Sequence, residues 1–191
     1  QALAWAIAVR SLVGGVKVGL EFFSSNGAEG LKRIIDLGVP VFLDLKFHDI
    51  PNTVHRAVGE VVDLGVSIIN VHASGGKAMM EAAVKSSKDK RHDPPLMAAV
   101  TVLTSLDEND LVMVGQATPV VGQVERLALL AKTCGLDGVV CSPNEISHLR
   151  KVCGDDFLLI VPGIRPRWSS SGDQKRVMTP KEAYSLGADI L

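Results

Sequence analysis

Short runs rich in valine, isoleucine and leucine alternate along this chain with longer stretches of helical period, and this alternation restricts the fold more than any other feature. The clearest unit lies near the middle. Val41 to Lys46 reads as a strand, and Val54, Ala57, Val58, Val61 and Val62 then fall at the spacing that lines one face of a helix, with Gly65 as its stop. Ser67 to His72 follows as the next strand, completing the strand, helix and strand of a parallel crossover.

The pattern continues in both directions. Strands are expected near residues 16–20, 41–46, 67–72, 96–103, 138–141 and 157–161, with a seventh beginning at Asp189. Val121, Val124, Ala128 and Ala131 mark a helix, and another opens the chain from Ala2 to Val13. In Ser142-Pro143-Asn144-Glu145 and Thr179-Pro180-Lys181-Glu182, a hydroxyl can cap free amides, proline suits the first turn and glutamate can reach back. Because the opening helix calls for a strand before it, the count implies that a first strand is absent and a last one cut. Restoring both gives the eight of a (β/α)8 TIM barrel, incomplete as given, in one domain spanning residues 1–191. The outer edges at Lys17 and Phe157 are then expected to lack neighbours. A doubly wound open sheet ranks second, for want of a glycine-rich fingerprint after a strand.

Twenty basic residues against twenty-one acidic ones, scattered through the chain, give no nucleic-acid-binding face and favour a small-molecule partner. Three cysteines, Cys134, Cys141 and Cys153, form no CxxC pair and fit a reducing cytoplasm. No apolar run approaches the roughly 20 residues that span a bilayer, and no export signal is evident, so no membrane partner is expected.

In a barrel the reactive groups gather at the C-terminal ends of strands, which draws attention to Lys17, Asp44, Lys46, Asp49, His72, Thr104 and Arg165. Asp44 and Lys46 are two apart on a strand, so their side chains leave on the same face. Taken alone, such a pair is an ion pair on a solvated strand end. Asp49 lies past the strand, where the same period cannot place it.

The stretch Asp44-Leu45-Lys46-Phe47-His48-Asp49-Ile50-Pro51-Asn52-Thr53 resembles the active-site signature of bacterial orotidine 5'-phosphate decarboxylases. Lys17-Val18-Gly19, Asn70 to Gly76, Thr101 to Ser105, Gly138 to Ser142 and Pro162 to Pro166 resemble further segments of that family in the same order. The resemblance implies a cofactor-free carboxy-lyase that makes uridine 5'-phosphate in pyrimidine biosynthesis. It implies that Lys46 is the proton donor, with Asp44 and Lys17 flanking it in an alternating charge array. It further implies a homodimer with shared active sites, in which Asp49, Ile50 and Thr53 contact substrate and Asp49 and Thr53 come from the partner. Thr104 would lie in the pyrimidine-binding segment, Arg165 would bind the phosphate, and Gln174 would reach over it from a lid loop between Pro166 and Met178.

Two rivals accompany this reading. Magnesium-dependent sugar-phosphate decarboxylases and synthases of the same superfamily share a D-x-K-x-x-D core, but they carry a glutamate where Lys17 stands, and a cation there opposes a divalent metal. An inactive nucleotide-binding relative is the other, against which the intact Lys17, Asp44, Lys46 and Asp49 argue. No metal site is expected: His72 reads as structural, and His48 and His55 do not form a metal-binding pair. Ser74-Gly75-Gly76 reads as a tight turn, Met79 and Met80 as core filling, and Trp168 as either packed or exposed.

Overall fold

The computed structural model describes residues 1–166, 168 and 178–191. Six parallel strands follow one another in chain order: β1 (Val16–Gly19), β2 (Val41–Phe47), β3 (Ile68–His72), β4 (Leu96–Val100), β5 (Gly138–Val140) and β6 (Leu158–Ile160). Helices separate them: α1 (Ala2–Val9), α2 (Leu20–Ile35), α3 (Pro51–Val62), α4 (Lys77–Lys90), α5 (Glu108–Met113), α6 (Val120–Thr133), α7 (Ile146–Cys153) and α8 (Pro180–Ser185). The chain forms two compact units, one of residues 1–71 and 78–97, the other of residues 72–77 and 98–191.

In the first unit β1 pairs with β2 in register from Val16 against Val41 to Gly19 against Asp44. Alternation then sends Val18 and Leu43 to one face, where both are buried, and Lys17 and Asp44 to the other. The apolar stripe of α3 buries Val54, Val58, Val61 and Val62 as its spacing requires, while Ala57 stays half-buried at its margin. Three residues on, Gly65 takes a positive φ of 94° and its amide returns to the Val62 carbonyl at 3.1 Å, which stops the helix where expected. Met79 and Met80 are buried on α4. The opening helix is shorter than its composition suggests: after Val9 the Leu12 amide bonds the Val9 carbonyl at 2.8 Å in a tighter turn, and Leu12 and Val13 are exposed.

In the second unit β5 pairs with β4 and β6 along Gly138 to Val140. A Cβ on Gly138 would lie 2.3 Å from the Leu158 carbonyl oxygen, so this strand start tolerates only glycine. The fourth strand ends at Val100, short of the expected residue 103, and Thr101 directs both its amide and its hydroxyl to the Val140 carbonyl. On α6 the buried set is Val124, Leu127, Ala128 and Ala131, while Val121 is 42 % exposed. The stripe is therefore the i, i+3, i+4, i+7 set one turn further along. Both expected capping boxes form, at Ser142 with Glu145 and at Thr179 with Glu182; the first opens a 3-10 turn ahead of α7. A third, Asp107 with Asp110, starts α5. The outer side of β6 does not lack a neighbour: Ile160 and Ile190 form a parallel bridge, and the Val161 amide donates to the Ile190 carbonyl at 2.8 Å.

Arg150 ties this region together. Its guanidinium donates to the carbonyls of Gly154, Asp155, Phe157 and Gly187 and to the Asp189 carboxylate, which also accepts the Leu159 amide. Cys134, Cys141 and Cys153 are free thiols in the core, and burial pushes the Cys141 thiol far up, so it holds its proton and is no nucleophile.

Candidate active site

The first unit carries a cluster of alternating charge on three adjacent strands. Lys17 comes from β1, Asp44 and Lys46 from β2, and Asn70 from β3. The Lys46 ammonium lies 2.7 Å from Oδ1 of Asp44, and the Lys17 ammonium 3.2 Å from its Oδ2. Asn70 donates its Nδ2 to the same Oδ1 at 2.6 Å. The Asp44 side chain is 11 % exposed and Lys46 27 %, whereas Lys17 at 52 % reaches solvent.

Burial pushes the Asp44 carboxyl up. Hydrogen bonds from Lys46 and Asn70, with the charges of Lys17 and Lys46, outweigh it and hold the group below its ordinary value, as a carboxylate. Each carboxylate oxygen thus faces its own ammonium. A divalent metal seeking Asp44 would have to displace one cation and lie against the other.

The backbone at Lys46 departs from a regular strand. Between the pairings Leu43 with Ile69 and Phe47 with Val71 the register slips, so residues 44–46 of β2 stand opposite Asn70 alone. Lys46 sits at φ 52°, the one non-glycine residue with positive φ among the described residues. Its amide, displaced from the ladder, donates to Oδ1 of Asn70 at 2.8 Å. The two-residue period brings Asp44 and Lys46 together as expected, but through a bulge.

Three more of the expected site residues belong to the first unit. Asp49 is exposed, and its Oδ1 accepts the Ile50 amide at 2.6 Å where α3 begins. Ile50 is 67 % exposed and Thr53 is exposed on the first turn of α3. In the second unit Thr104 is half-buried in the segment after β4. Arg165 follows β6, half-buried, with its amide on the Met178 carbonyl at 2.9 Å and its guanidinium on the Ile164 carbonyl at 2.8 Å. Gln174 lies outside the described residues. Trp168 is 87 % exposed. Ser74 and Gly75 belong to a 3-10 turn closed by the Gly76 amide, as read from the sequence.

Asn70 is the residue to which sequence reasoning gave no role. It stands within a family-like segment, and a polar residue between the apolar Ile69 and Val71, fully buried in the fold, is the signal that marks it. Among the described residues no group of three or more His, Cys, Asp or Glu side chains converges as a metal site. A surface cleft of about 640 Å³ beside α1 and α2, reaching Trp5, Phe22 and Arg33, includes none of the charged cluster.

The orotidine 5'-phosphate decarboxylase / HUMPS family model matches residues 1–191. An orotidine 5'-phosphate decarboxylase of Paramagnetospirillum magneticum is 51 % identical over 195 residues, covering 100 % of this chain and 83 % of the relative. That of Rhodospirillum rubrum is 55 % identical over 184 residues, covering 94 % and 74 %. Among solved structures, the orotidine 5'-phosphate decarboxylase of Lactobacillus acidophilus superposes with a TM-score of 0.85 at 36 % identity, covering 100 % of this chain and 83 % of that one. With its sequential parallel strands and alternating helices, this is the (β/α)8 barrel architecture, represented among the described residues by six strands and a parallel bridge from Ile160 to Ile190. The chain therefore belongs to the orotidine 5'-phosphate decarboxylase / HUMPS family.

Proposed function

We propose that this protein is a carboxy-lyase that converts orotidine 5'-phosphate to uridine 5'-phosphate in pyrimidine biosynthesis, with Lys46 as the proton donor. The observation that carries the reading is the pair of ammonium groups on the two oxygens of Asp44. When the bond to the substrate carboxylate breaks, carbon dioxide leaves and the electron pair stays on the ring carbon. No carbonyl is placed to take up that pair as an enolate. A fixed ammonium stabilises the charge and then quenches it: an Nζ–H bond breaks, a C–H bond forms, and solvent returns the proton to Lys46. Asp44 keeps Lys46 charged and oriented. Nothing in this sequence of steps requires a cofactor.

Arg165 and Gln174 serve the substrate phosphate, which supplies binding energy remote from the breaking bond. Thr104 contacts the pyrimidine. Asp49, with Ile50 and Thr53, faces outward at the start of α3, which suits delivery of Asp49 and Thr53 into the site of a second copy in a homodimer. No helix among the described residues is long and apolar enough to cross a membrane, in keeping with an enzyme working in the cytoplasm.

The test is release of carbon dioxide from orotidine 5'-phosphate with and without a chelator. Turnover that survives the chelator supports this assignment. Turnover lost in chelator and restored by magnesium transfers it to the metal-dependent branch, and none under either condition favours a binding protein.

A further inference from the structure

We propose that Asn70 is a positioning residue that sets the aim of Lys46 and Asp44 together: one end of its amide holds the left-handed backbone of Lys46, and the other holds the carboxylate that the Lys46 ammonium meets. This rests on the reading of Lys46 as proton donor.

The orientation of the amide follows from its partners. A backbone N–H can only donate, so the atom 2.8 Å from the Lys46 nitrogen is Oδ1. The NH2 end therefore faces Asp44, at 2.6 Å from Oδ1, and Asp44 must offer it a lone pair. Three residues of β2 stand opposite this one residue of β3, so the Lys46 amide has left the ladder and needs an acceptor that a side chain can supply. Asn70 is 0 % exposed, and bulk water does not reach it to take over either bond. Few side chains satisfy both demands: aspartate has the acceptor without the donor, leucine has neither, and glutamine is longer by a methylene. The same Oδ1 of Asp44 receives both Asn70 and Lys46, so loss of Asn70 frees the carboxylate to rotate and the lysine backbone to relax at once.

Two variants test the proposal. Asn70→Ala removes both contacts, and kcat for orotidine 5'-phosphate is expected to fall about a hundredfold while KM stays within about threefold, the pattern for loss of transition-state alignment. Asn70→Asp keeps the shape and the acceptor for the Lys46 amide but turns a carboxylate toward Asp44. Two carboxylates so close share one proton, so activity should acquire an alkaline limb, falling as pH rises and that proton leaves. A residue that only supports the fold would lower the melting temperature and leave both kcat per folded molecule and the pH profile as in the parent. Carboxyl 13C titration of Asp44 supplies a readout independent of turnover: its pKa should rise in Asn70→Ala. A kcat within threefold of the parent in Asn70→Ala, or an unmoved Asp44 titration, overturns the proposal. If Asn70→Ala does not fold, the isosteric Asn70→Asp decides through its pH profile. If the parent itself releases no carbon dioxide, the functional assignment fails, while the Asp44 titration still decides the role of Asn70.

Discussion

Replacing Lys46 with glycine should give a more stable protein than replacing it with alanine, although neither variant should be active. Lys46 occupies φ 52°. A side chain bearing Cβ costs about 1–2 kcal/mol in the left-handed region, and glycine does not meet that cost. Against this, glycine loses about 0.5–1 kcal/mol more backbone entropy on folding than alanine. Taken at the middle of these ranges, the balance favours Lys46→Gly by about 0.75 kcal/mol, or about 1.5–3 °C in melting temperature for a chain of this size. The comparison isolates the backbone because both variants remove the same ammonium from Asp44 and both keep the amide bond to Asn70. The assay is thermal unfolding followed by circular dichroism, with urea titration to check that the slope is unchanged. An alanine variant as stable as the glycine variant, or more so, would refute the reasoning, since the left-handed geometry would then carry no cost. Confirmation would mean that this position gives up stability to hold its ammonium in place.

Lys46→Ala should abolish carbon dioxide release while the far-ultraviolet spectrum stays that of the parent; a rate within tenfold of the parent removes Lys46 from the mechanism. Mixing Lys46→Ala chains with Asp49→Ala chains should restore about a quarter of all sites through heterodimers, and no recovery despite demonstrated exchange would mean that Asp49 serves its own chain. The Asp44 carboxyl is held below its ordinary value of 3.8, so its contribution to stability is present above that value and lost as pH falls through the folded one. The stability advantage of the parent over Asp44→Asn should accordingly shrink below about pH 4, and a constant difference across that window in acid unfolding would refute the assignment. Arg150→Ala leaves four carbonyls and the Asp189 carboxylate without their shared donor, and should cost about 3 kcal/mol. A loss under about 0.5 kcal/mol by urea unfolding would show the hub to be incidental.

Much of the architecture was legible because it rests on local period and local chemistry. The stripe of α3 and the capping boxes at Ser142 and Thr179 formed as their spacing required, each depending on residues within a few positions of one another. Boundaries were less legible. The fourth strand ends at Val100, and just past it Thr101 gives its hydroxyl to the Val140 carbonyl, about forty residues away in sequence, a partner that no local pattern announces. Val121 fits the period of α6 but stands a turn before the stripe that is buried.

The site divides along the same line. The resemblance of the stretch from Asp44 to Thr53 to a family signature is what points to Lys17, Asp44, Lys46 and Asp49 as a candidate charge array, while a two-residue period suffices to put Asp44 and Lys46 on one face. Asp49 shows the limit of that period, since it is exposed at the start of α3 and hydrogen-bonded to its own neighbour's amide. How Lys46 is aimed was decided only in three dimensions. Its left-handed backbone arises where three residues of β2 face one residue of β3, and a register slip belongs to a pair of strands, so neither strand's own spacing encodes it. Asn70 becomes part of the site for that reason alone: the slip leaves an amide without a ladder partner and places this one side chain where it can bind that amide and Asp44 together.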